Sequence, residues 1–175
     1  GPRACTPARH ALECAVLVVA AAAASMGVDA LRGATVGGLE WWLQEQWPED
    51  QPKELHTDKA VGVTDAELTT RHPILSSVTY LSRSGGPTAV FKGRTAALGF
   101  PSPSSLLLFE GDLPHCVLHT PPAPLGAQPT EAHPRRTLLV NFWATPPPGA
   151  SDVPLPTLPP PPLTPPTTVI VGQTR

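Results

Sequence analysis

The chain has 175 residues and sets 12 Lys and Arg against 14 Asp and Glu, a near-neutral balance that excludes the basic footprint of a nucleic-acid or anionic-membrane binder. Its 41% hydrophobic content is enough to bury one ordinary core once the Pro-rich parts are set aside. Cys5, Cys14 and Cys116 form no CxxC pair, which argues against a disulfide scaffold or a structural zinc site and favours a reducing, cytoplasmic setting.

From Ala8 to Leu31 the sequence predicts one helix, ended by Gly33 and Gly37-Gly38. Within it the apolar run Ala11–Met26, preceded by Arg3 and Arg9, has two readings, a signal peptide or a buried helix. Glu13 near its start and the strong helix propensity of Ala favour the buried helix, with secretory entry as the alternative. The run is shorter than the ~18–20 residues needed to span a bilayer, so no transmembrane segment is expected. Leu39–Gln46 reads as a strand or short helix that leads into a turn at Pro48-Glu49-Asp50.

Beyond the turn the signals are β: Glu54–Lys59, Ile74–Ser82, Thr88–Lys92, Ser105–Phe109, Cys116–His119 and Arg136–Trp143, each bounded by Gly, Pro, Ser or Asp. Short strands separated by turn residues predict a sandwich or jelly roll rather than alternating β and α units. Many of the 25 prolines crowd between Pro101 and Pro134 and between Pro146 and Pro166, where they oppose helix and inner strand. After Pro146 the chain holds too much Pro to make ladders and is expected to be extended polyproline II or unstructured, with PxxP spacings that suit a polyproline-binding partner. The organisation is therefore a helical segment over 1–38, a β domain over 39–146 and a Pro-rich tail over 147–175.

Three short patterns carry chemistry. In His56-Thr57-Asp58 an imidazole and a carboxylate two residues apart project from one face of a strand, supplying two ligands of a facial metal triad. His115 follows the Gly111-Asp112 turn and opens the next strand, where it can supply a third ligand from across a sandwich. Arg135 and Thr137 share a face at the start of the last strand and can clamp a carboxylate by a charge-assisted fork and a hydroxyl. Arg136 points the other way and is the alternative clamp. Each pattern alone is common: His-x-Asp pairs are usually solvated, and arginines on a strand edge often guard it.

Taken in order, the patterns resemble the Fe(II)- and 2-oxoglutarate-dependent dioxygenase superfamily, in particular its prolyl 4-hydroxylase-like branch. The matching residues are His56 to Asp58, then Tyr80-Leu81, then Gly86-Pro87-Thr88 with Phe91, then Gly111 to His115, then Arg135 to Trp143. The resemblance spans about Leu39 to Pro146. It implies a mainly β double-stranded β-helix with Fe(II) on His56, Asp58 and His115. It further implies 2-oxoglutarate as co-substrate, its 5-carboxylate on Arg135 and Thr137, Tyr80 lining that pocket, and ascorbate as an optional accessory. The implied reaction hydroxylates a C–H bond of an unidentified substrate while 2-oxoglutarate becomes succinate. The Pro-rich interval from Cys116 to Pro134 is longer than the family spacing, which a surface insertion accommodates.

The other candidates have plainer readings. Trp41, Trp42 and Trp47 are expected in core and rim packing, Cys116 as a small buried thiol facing away from the metal, and His72, His119 and His133 in solvent. Two other functions compete with the oxygenase. One is a non-catalytic jelly-roll interaction module that recruits partners through its Pro-rich tail. The other is a cupin-like metal protein, which would bind metal without 2-oxoglutarate.

Overall fold

The structure is a computed structural model and describes residues 7–63, 68–119, 133–147 and 168–171. It is mainly β, with one N-terminal helix, α1, over Pro7–Ser25. The helix stops six residues before the expected Leu31. Gly27 takes a left-handed φ of 60°, which is cheap only without a Cβ. Met26 N and Gly27 N still donate back to Ala22 O and Ala24 O, and a separate 3-10 turn follows at Asp29–Leu31.

The strands are β1 (Gly38–Gln46), β2 (Ala60–Val63), β3 (Leu68–Arg71), β4 (Leu75–Tyr80), β5 (Thr88–Lys92), β6 (Thr95–Gly99), β7 (Leu106–Glu110), β8 (His115–Val117), β9 (Arg135–Trp143) and β10 (Thr168–Val171). They form a large sheet in the order β1-β9-β4-β7-β10, a small sheet β6-β5-β8, and the hairpin β2-β3. All pairings are antiparallel except β10 on β7.

Alternation along the strands divides the large sheet into two apolar faces. Leu75, Leu106, Leu108, Leu138, Val140 and Phe142 pack under Val16, Val19, Ala22 and Ala23 of α1. On the opposite face Val78, Tyr80, Leu107 and Phe109 meet Val90 of the small sheet and Leu113. Burial on both faces is why Leu106–Phe109 reads as an unbroken apolar run rather than an alternating one.

Four expectations need correction. Glu54–Lys59 is not a strand: only His56 bridges β8, with His56 N to His115 O at 3.0 Å and the reverse bond at 2.8 Å. Regular pairing would next set Glu54 O against Val117 N, but Lys53 O takes that bond at 2.9 Å, and Glu54 O accepts instead from the His56 ring. The hairpin β2-β3 and strand β6 were not foreseen; β6 is Ala- and Gly-rich, and its turn depends on Gly93 at φ 59°. Finally, the tail does make a ladder at Thr168–Val171, because the β-branched stretch beyond the last proline has free backbone donors. The tail's PxxP spacings lie outside the described residues. No helix among the described residues is long and apolar enough to cross a membrane.

Candidate metal centre

The bulge that breaks the ladder at Glu54 also sets a ligand. His56 Nδ1 lies 2.7 Å from Glu54 O, and His115 Nδ1 lies 3.0 Å from Leu113 O. A carbonyl can only accept, so each Nδ1 carries the proton and each Nε2 of the neutral ring presents a lone pair. Those two Nε2 atoms converge on Asp58 Oδ1, at 4.0 Å from His56 and 3.7 Å from His115. The three ligand atoms lie within 4.8 Å of one another.

Asp58 is held at both ends. Its Oδ2 accepts from Ser76 Oγ at 2.8 Å, and its carbonyl accepts from His72 Nδ1 at 2.7 Å. Ser76 is fully buried on the inward face of β4. His115 is buried against Phe109, ring centroids 4.8 Å apart, and burial holds its imidazole below the ordinary value and hence neutral. Two imidazole Nε2 atoms and one carboxylate oxygen are the donor set of a divalent first-row metal with open positions.

The triad opens into a cavity of about 260 Å³, walled by Trp42, Gln44, Val78 and Leu139 and floored by Thr88 and Arg135. Arg135 is 2% exposed. Its Nη2 donates to Thr88 Oγ1 at 2.8 Å, its Nε to Gly86 O at 3.3 Å and its Nη1 towards Thr137 Oγ1 at 3.5 Å. All these acceptors are neutral, and among the described residues the only further support is the Tyr80 ring, 5.4 Å from the guanidinium carbon. Burial lowers the guanidinium pKa while Tyr80 opposes the shift, and an arginine stays cationic through such a change. Among the described residues no carboxylate pairs with this buried cation, which is costly, and an anionic ligand would relieve it.

A smaller cavity of about 110 Å³ lies on the other side of Arg135, between Trp47 and Gly85-Gly86. Both glycines are sterically required there. A Cβ on Gly85 would lie 2.5 Å from Arg135 Cβ, and one on Gly86 would lie 1.8 Å from the Leu118 carbonyl oxygen.

The structure brings His56, Asp58, His115 and Arg135 to one cavity. Thr137 is fully buried beneath Arg135 and is not on the cavity wall. Tyr80 is also off the wall, its hydroxyl engaged with Thr88 and Gly99 O. Arg136 faces outward and bonds Glu45 at 2.6 Å. Cys116 departs from the sequence reading, being half-exposed and bordering the cavity rather than buried away from it. Trp41 packs on the helix side, Trp42 on the cavity side, and Trp47 is 40% exposed; His72, His119 and His133 are exposed.

Sequence reasoning missed Ser76 and Gln44, named Thr88 in a pattern without a role, and read Trp42 as packing rather than as cavity wall. Parity was the available signal, since Ser76 shares a face with Val78 and Tyr80, and Gln44 with Trp42. Compared with known families and curated proteins, the chain matches no family model and no curated protein.

Proposed function

We propose that the chain is the double-stranded β-helix core of an Fe(II)- and 2-oxoglutarate-dependent oxygenase. The observation that carries the reading is the buried Arg135, which has no carboxylate partner among the described residues, in the same cavity as a His, Asp, His triad whose tautomers leave both Nε2 lone pairs inward. The large sheet facing a small one across an apolar layer supports a jelly roll. His56, Asp58 and His115 would hold the metal, Arg135 with Thr88 would bind the 5-carboxylate while Thr137 supports Arg135 from beneath, and Trp42, Val78 and Leu139 would exclude water. The bound metal supplies the activation of dioxygen by which one oxygen atom enters a substrate C–H bond and the other enters succinate, as 2-oxoglutarate releases carbon dioxide.

Each neighbouring residue has a part in this reading. The Glu54 and Leu113 carbonyls keep the imidazole protons on Nδ1, and Ser76 leaves Asp58 Oδ1 turned to the metal. Arg135, already fixed by Thr88 and the Tyr80 ring, loses little freedom when it meets a carboxylate.

The test is an anaerobic titration of Fe(II) and 2-oxoglutarate, following the weak visible charge-transfer band of the chelate. The band is expected in the wild-type protein, absent in His56→Ala, and reached in Arg135→Ala only at about 10–100-fold higher 2-oxoglutarate, the loss of a charge-assisted fork. Metal binding without the band would make the chain a cupin-like metal protein, and folded protein that binds neither would leave the interaction module.

A further inference from the structure

The larger cavity carries more positive charge than this chemistry uses. Its walls hold one carboxylate, Asp58, against three cations, Lys53, Lys59 and Arg135. The charges of a divalent metal and a dianionic oxo acid cancel, and Arg135 is then matched by Asp58. Lys53 and Lys59 are left over. Both are exposed, and neither forms an ion pair among the described residues.

Their positions are set by the metal-binding segment. The Lys53 carbonyl accepts from Val117 N at 2.9 Å, two residues past His115, and Lys59 follows Asp58 directly. On an open surface two such lysines would be solvated and unselective. Beside a cavity walled by Trp42, Val78 and Leu139 they focus a positive field on whatever enters.

Size narrows the mode of entry. The cavity of about 260 Å³ falls below the roughly 300–1,000 Å³ of pockets that enclose a whole drug-sized ligand. With a five-carbon dianion seated on Arg135, the remaining space takes a group the size of a side chain. The body of the substrate then lies outside, across the lysine rim.

We propose that the substrate is an anion that inserts its target C–H group past Trp42 and sets carboxylates against Lys53 and Lys59; this rests on the oxygenase reading above. The carboxylates come either from acidic residues flanking the target in a peptide or from a small free acid.

The experiment uses the full chain loaded with Mn(II) and 2-oxoglutarate and reads the paramagnetic broadening of probe proton signals at low salt. The small probes are N-acetyl-aspartate and its neutral diamide. The peptide probes are an Ala-based peptide with three Glu and the same peptide with three Gln. Acidic probes are expected to broaden at about tenfold lower concentration than their amides, the scale of two exposed ion pairs. The preference should vanish in the Lys53→Gln/Lys59→Gln variant and at high salt. Preference for the Glu peptide alone identifies a peptide source, and equal preference for N-acetyl-aspartate identifies a free acid.

Equal broadening of acids and amides, or an acid preference that survives the double variant, overturns the proposal. The Fe(II) chelate band, followed in parallel, separates loss of the oxygenase site from loss of the anion rim. If that band never forms, the same acid and amide pairs are compared through backbone amide shifts at Lys53 and Lys59 in metal-free protein. No acid preference there sinks the anion reading independently of the oxygenase one.

Discussion

At Asp58, two neighbours decide which oxygen is left for a metal. Ser76 Oγ occupies Oδ2, and His72 holds the backbone behind it, so Oδ1 alone faces the two imidazoles. Ser76→Ala should therefore weaken metal binding about 10–100-fold, the usual cost of losing a partner behind a ligand. Calorimetric titration with Mn(II) measures it, and an unchanged affinity would show that the hydroxyl does not orient the carboxylate. The His-x-Asp pair was legible in the sequence as residue types two positions apart, although the strand expected to align them is absent and only His56 bridges β8. Ser76 was not, because it acts across 18 positions of sequence. Thr88 is similar: it is one residue of a Gly-Pro-Thr pattern until Arg135, 47 positions away, arrives beside it.

Among the elements, β4, β7 and β9 are central, lying between strands on either side and apolar layers above and below. Leu108 is fully buried beneath α1. Leu108→Ala should cost about 2–5 kcal/mol, the loss of the side chain plus the void left behind, read as a lower urea midpoint with an unchanged slope. A change below about 1 kcal/mol would mean that the layer under α1 is loosely packed. β7 was readable as an apolar run bounded by turn residues, and β4 and β9 as short stretches of Leu, β-branched and aromatic residues. The irregular segment before Asp58 was misread as a strand, because its apolar and polar alternation does not reveal that Glu54 O bonds its own neighbour's ring instead of β8. β10 was hidden by the composition of the tail around it, since a parallel partner supplied from 62 positions away leaves no local trace.

For the whole molecule, a buried neutral histidine links stability to pH. Burial holds His115 below its ordinary imidazole value. As pH falls through about 6.5 the unfolded chain takes up a proton that the folded chain refuses, so metal-free protein loses stability from there down through the lower folded value. Urea midpoints should fall between about pH 7.5 and 5.5, and less steeply in His115→Asn; identical slopes in both proteins would remove His115 as the cause. Its burial is a product of assembly: β8 lies between β5 and the His56 segment, with Phe109 of the large sheet against the ring. The sequence by itself determined a mainly β chain with a leading helix and the residue types of a candidate metal triad and a candidate anion clamp, because propensity, alternation and residue spacing act within a few residues. Only the tertiary structure decided that His56, Asp58, His115 and Arg135 share one cavity, that Arg135 rather than Arg136 turns inward, and that Lys53 and Lys59 border that cavity with no ion pair among the described residues. Those facts depend on how two sheets close over each other, and strand pairing between distant segments is set by the whole packed core.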